Sequence, residues 1–122
     1  MPIDATLPYD DGNIFARILG GEIPCDKVFE DDHTFAFHDI NPQAPMHVLV
    51  CPKKPLPMLS DALPADSALL GHLLVAAATI AAKEGYADAF RVAINNGAAV
   101  GQSVFHLHLH VLAGRRFSWP PG

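Results

Sequence analysis

The sequence predicts an α+β domain built on an antiparallel sheet, and three observations predict it. Five short β-type stretches are marked off by turn residues: Lys27–Phe29, Thr34–Phe37, His47–Cys51, Arg91–Ile94 and Val104–Leu112. Several of the gaps between them are too short for the helical crossover that parallel neighbours need, which favours antiparallel pairing. One long stretch, from Asp66 to about Glu84, has apolar residues at helical spacing instead.

The chain has 122 residues, half of them hydrophobic and 17% charged. That is enough apolar material for one folded domain. Residues 1–12 mix Pro, Asp and Gly without periodicity and read as a flexible tail, leaving 13–122 as the domain. Ile14, Phe15, Ile18 and Leu19 then fall at helical spacing, and Gly20-Gly21 ends that short helix. The acidic turn Glu30-Asp31-Asp32 separates the first two strands, and the prolines of Asn41-Pro42-Gln43-Ala44-Pro45 make a loop before the third. In the long helix, Leu69, Leu70, Leu73, Leu74, Ala77 and Ile80 form an apolar stripe. Asp66 is placed to cap its start, and Gly85 stops it. Asn95-Asn96-Gly97 is a turn between the last two strands.

The net charge is −5, and the basic residues include no extended patch. A long nucleic acid is therefore disfavoured as a partner, because neutralising its phosphates takes many Lys and Arg. A small anionic ligand held by backbone N–H groups and histidines is not. Cys25 and Cys51 read as two reduced thiols, with no CxxC spacing for a metal. No signal-peptide order opens the chain. The longest apolar run, Leu73–Ala82, falls short of the ~20 residues that span a bilayer. The expectation is a cytoplasmic protein with no membrane partner.

The most informative segment is Phe105-His106-Leu107-His108-Leu109-His110-Val111-Leu112. With a side-chain period of two, a strand here puts His106, His108 and His110 on one face and the apolar residues on the other. Two chemistries use clustered imidazoles: zinc ligation, and nucleophilic or acid–base work at a phosphoryl group. The segment before the strand carries Gly97, Gly101, Gln102 and Ser103, suited to close backbone approach and hydrogen bonding around an anion. No Asp, Glu or Cys joins it, which weighs toward phosphoryl chemistry. On that reading the flanked His108 is the neutral nucleophile, and neither metal nor cofactor is called for.

His106 to Leu112 resembles the signature of the histidine-triad superfamily. Asn13-Ile14-Phe15, Glu22-Ile23-Pro24, Phe37-His38-Asp39-Ile40, Pro42-Gln43-Ala44-Pro45, Gly101-Gln102-Ser103 and Trp119-Pro120-Pro121-Gly122 narrow the resemblance to its Hint branch, the purine nucleoside phosphoramidases. The resemblance implies a five-stranded antiparallel sheet with helices on one side, made continuous across a homodimer. It implies a site for AMP or GMP and hydrolysis of nucleoside 5′-phosphoramidates through a nucleotidyl-histidine intermediate. Carried onto this sequence, His108 is the nucleophile, His106 and His110 orient it and stabilise the phosphate, and His47 and Ser103 serve the phosphate and leaving group. Asn95, Gly101, Gln102 and Ser103 contact phosphate or ribose, and Asp39 holds the ribose hydroxyls. Ile14, Phe15, Ile18, Phe37, His38 and Ile40 line the base pocket. The Arg115-Arg116 pair and Trp119 reach the partner subunit's site and tune specificity. Ala98-Ala99-Val100 and Ala113 depart from the family pattern and bear on the choice of leaving group. Three other readings are weighed against this one: a zinc enzyme using His106, His108 and His110, a non-catalytic AMP sensor or scaffold, and a dinucleotide polyphosphate hydrolase.

Overall fold

The computed structural model describes residues 10 and 12–122. Most of the predicted N-terminal tail lies outside the described residues. Of the part within them, Asp10 and Gly12 are joined by a hydrogen bond from the Gly12 N–H to Asp10 Oδ1, at 2.8 Å.

Helix α1 spans Ile14–Leu19, and Asn13 caps it by accepting the Ala16 N–H at 2.8 Å. Strands β1 (Lys27–Glu30), β2 (Thr34–His38), β3 (Met46–Pro52), β4 (Arg91–Ala93) and β5 (Leu109–Ala113) form one sheet in the order β1-β2-β3-β5-β4. Every neighbouring pair is antiparallel. Helix α2 runs Ser67–Lys83 between β3 and β4. Gly85 then takes φ +92°, letting the Tyr86 N–H reach back to the Ala81 carbonyl at 2.8 Å.

The register separates the two faces. Ala36 pairs with Val50, and Val48 with Val111, on the face that packs against Leu73, Ala76, Ala77 and Ile80 of α2. Each fully buried Leu or Ile there contributes roughly 1.5–3 kcal/mol by leaving water. Phe35, Phe37, Leu49 and Cys51 alternate with those residues and pack on Phe15 of α1 on the other face. The helices therefore lie on opposite sides of the sheet. This corrects the expectation of helices on one side, because Phe15 belongs with the second cluster.

Three further details differ from the sequence reading. Asp66 stands where a cap would, but its carboxylate accepts the Leu63 N–H and the Lys54 ammonium rather than a helix N–H. The last strand begins at Leu109, not Val104. Its pairing with β3 ends at Val50 and Leu109, and the Leu107 N–H goes instead to the Leu56 carbonyl at 2.7 Å. The segment Pro64–Lys83, with mean hydropathy 1.5, is long and apolar enough by composition to cross a membrane. Its Leu73, Ala77 and Ile80 are packed against the sheet, as in a core helix.

Candidate active site

On the α1 face a cavity of about 710 Å³ opens between α1, the end of β2 and the start of β5. Ile14, Phe15 and Ile18 line it from α1, and Phe37, His38, Asp39 and Ile40 from β2 and the turn beyond. His108, His110 and Ser103 line it from the C-terminal third of the chain. Ile23, Pro24, Cys25, Asp26, Leu49 and Val104 also belong to its walls. The site reading from sequence omitted them. Leu49 was findable, since it lies two residues from His47 on the same strand face. Ile23 and Pro24 belong to the motif Glu22-Ile23-Pro24 that carries the resemblance, but nothing in the sequence alone assigns that motif to a wall.

His108 is buried, with its ring 4.8 Å from that of Phe15 in an edge-on arrangement. Its Nδ1 lies 2.7 Å from the carbonyl oxygen of His106. A carbonyl only accepts, so Nδ1 carries the proton and Nε2 keeps its lone pair. Burial pushes the His108 pKa down to about 4, against a smaller opposing effect of the His106 carbonyl. The ring is therefore neutral at pH 7 and its basic nitrogen is defined.

His106 is more deeply buried and its Nε2–H donates to the Pro52 carbonyl at 2.7 Å. Its ring lies against Phe15 and Phe35, and burial lowers its pKa. It supports the site from behind and does not line the cavity.

His47 and His110 form a pair. In the β3–β5 register His110 lies opposite Leu49, so His47 is its diagonal neighbour on the same face. Nε2 of His47 is 2.9 Å from Nδ1 of His110. The Gln43 N–H donates to Nδ1 of His47 at 3.0 Å. Burial lowers the pKa of both rings, and the nearby His47 lowers that of His110 further. Asp39 places Oδ2 3.5 Å from Nε2 of His47, while its Oδ1 accepts the Asn41 N–H at 2.8 Å.

Asn95, Gly101, Gln102, His106, His47 and Trp119 are not among the cavity walls. Gln102 is buried and fully engaged. Its Oε1 accepts the Gly97 N–H at 2.8 Å, and its Nε2 donates to the carbonyls of Pro57 and Val104 at 2.9 and 3.0 Å. It braces the loop that ends in Ser103. Asn95 stands beside Gly101, which takes φ +104°. Trp119 is exposed on the C-terminal segment, where the neighbouring Ser118 carbonyl accepts from Arg91 at 3.1 Å.

Among the described residues, the grouping with cation-ligand spacing is Asp39, His47 and His110, with ligand atoms within 4.8 Å of one another. It is not the set His106, His108 and His110 weighed from sequence. Nε2 of His106 and Nδ1 of His108 are both committed as donors to carbonyls. In the Asp39 group, the two facing imidazole nitrogens are hydrogen-bonded to each other. Both cysteines are free.

The chain is similar over its length to several known proteins. An "uncharacterized HIT-like protein" of Synechocystis is 64% identical over 109 residues, which cover 89% of this chain and 96% of that protein. The crystal structure of a HIT family hydrolase from Legionella pneumophila superposes with a TM-score of 0.89 at 44% identity, covering 91% of this chain and all of that one. A histidine triad protein from Clostridium difficile superposes with a TM-score of 0.82, also at 44% identity, covering 87% and 93%. The family profile of the HIT domain matches residues 20–117, so with its paired and buried histidines this chain belongs to the HIT domain family.

Proposed function

We propose that the protein is a hydrolase of purine nucleoside 5′-phosphoramidates, cleaving the P–N bond through a nucleotidyl-His108 intermediate. The observation that carries this reading is His108 itself. It is a neutral imidazole at the wall of an apolar cavity, its proton committed to a backbone carbonyl and its second nitrogen left basic. A nucleophile that must work near pH 7 needs that state. The Legionella structure, described as a hydrolase, supports the reaction class.

The base stacks in the apolar part of the cavity, against Ile14, Phe15, Ile18, Phe37 and Ile40, with His38 at its edge. Asp39 accepts hydrogen bonds from the ribose hydroxyls. Nε2 of His108 attacks phosphorus in line and displaces the amine, which leaves with a proton supplied from Ser103 or a neighbouring histidine. Water then attacks the nucleotidyl-His108 phosphorus, releasing the nucleoside monophosphate and restoring the imidazole. His110 and the backbone near Ser103 stabilise the charge on the phosphate oxygens, so positioning and electrostatics supply the catalysis. A homodimer is part of the same proposal. Strand β4 lies at the sheet edge, where its outer backbone groups suit pairing with a second copy.

The test is AMP release from adenosine 5′-phosphoramidate by wild type and His108→Ala, run without added metal. Release by wild type alone supports the class and the nucleophile together. AMP binding without release by either protein favours a nucleotide sensor instead.

A further inference from the structure

A chain of hydrogen bonds reaches the His47–His110 pair from the C-terminal segment. Arg115 donates from Nε to the carbonyl of Gln43 at 2.7 Å. The same guanidinium donates from Nη1 to the Arg116 carbonyl at 2.9 Å and lies 4.1 Å over the Phe117 ring. Held at three points, it is a rigid grip on the Gln43 backbone rather than a loose surface charge. The N–H of that residue is the donor to Nδ1 of His47.

A peptide N–H cannot exchange roles, so it sets the direction of everything beyond it. Nδ1 of His47 must accept, which leaves the proton of the neutral ring on Nε2. That proton goes to Nδ1 of His110, 2.9 Å away. His110 in turn must carry its own proton on Nε2. The ring of His110 lines the cavity 5.1 Å from that of His108, whose proton is on Nδ1. Two neighbouring imidazoles thereby have opposite polarity: one with a basic Nε2, the other with a donating one.

We infer that Arg115 is a positioning residue: by gripping the Gln43 backbone it fixes the His47 and His110 tautomers, so that His110 is a hydrogen-bond donor beside the nucleophile. That this donor serves a phosphate oxygen rests on the function proposed above. The carboxylate of Asp39 near Nε2 of His47 favours the same tautomer. Arg115 biases an arrangement that Asp39 supports, and neither acts alone. Arg115 is exposed, so replacing it opens no cavity in the core.

The experiment reads ring-nitrogen protonation directly, by long-range ¹H–¹⁵N NMR of the labelled full chain near neutral pH. Wild type should show His47 and His110 protonated on Nε2 and His108 on Nδ1. In Arg115→Ala the His47 and His110 signals should move toward a mixture of tautomers while His108 stays. Turnover of adenosine 5′-phosphoramidate should fall roughly tenfold in kcat with a smaller change in KM, the scale of one lost charged hydrogen bond. Arg115→Lys, which keeps a donor, should recover part of both. Arg91→Ala releases the tail at Ser118 and Phe117 but keeps the Gln43 contact, and should leave the ring signals in place. Unchanged tautomers in Arg115→Ala would overturn the inference. So would equal changes in Arg91→Ala, which would make general ordering of the tail responsible. If wild type turns over no phosphoramidate, the function falls on that result alone and the ring signals still decide the role of Arg115.

Discussion

Nδ1 of His108 lies 2.7 Å from the carbonyl oxygen of His106, two residues earlier in the same chain. Backbone geometry alone thus chooses which nitrogen of the nucleophile is basic. The ring is also held at a pKa of about 4 by burial. The acidic limb of kcat/KM on a phosphoramidate should therefore lie near pH 4, with activity retained at about pH 5. A limb centred near 6.5, the ordinary value for histidine, would mean that the buried ring titrates as if in water.

The same burial makes stability depend on pH. Between about pH 6.5 and 4 the unfolded chain binds a proton at His108 that the folded protein does not. Stability is therefore complete above that window and declines as pH falls through it, with no further loss from this group below pH 4. The shift is worth about 3 kcal/mol. His47, His106 and His110 are displaced in the same direction and add to the decline. Urea midpoints taken from pH 7 to 4.5 should fall steadily in wild type and less steeply in His108→Asn. Parallel slopes would remove His108 as a source.

Gln102 satisfies three backbone groups at once, those of Gly97, Pro57 and Val104. Gln102→Glu replaces its two donors with an oxygen facing two carbonyls. It should cost about 2–4 kcal/mol in chemical denaturation and reduce turnover through the adjacent Ser103. A variant as stable and active as wild type would show that the loop holds itself.

Thr34 is fully buried in β2, and its Oγ1 has no hydrogen-bond partner among the described residues. Valine has nearly the same shape without the orphan hydroxyl. Thr34→Val should stabilise the protein by about 1 kcal/mol, raising Tm by roughly 3–6 °C, with activity unaltered. A fall in Tm would point to a partner that forms in solution.

Much of this was readable from the chain. The β3 run His47–Cys51 and the α2 stripe were legible because each has a strong pattern and is long enough to repeat it. The start of β5 was not. His–apolar alternation continues through residues 105–112 whether or not the backbone is paired, and there the Leu107 N–H is taken by Leu56, far away in the sequence. The side on which α1 lies was equally hidden, since six residues hold too few turns to point a face. Within the site, the importance of His108 follows from sequence pattern, but the contact between His47 and His110 is a property of register across 63 residues. Gln102 was picked out for its polar amide. That amide is spent inside the loop, where no sequence pattern could have assigned it.

Along β3, alternate residues serve two masters, with Val48 and Val50 against α2 and His47 and Leu49 on the opposite face, where His47 meets His110. Inserting or deleting one residue in that strand would swap the two sets together. An imidazole would be pushed into the aliphatic core and a valine would stand where the His110 partner belongs. Folding and chemistry would fail in the same step, with no intermediate in which one survives the other. The length of β3 therefore cannot drift, whatever single substitutions its positions accept.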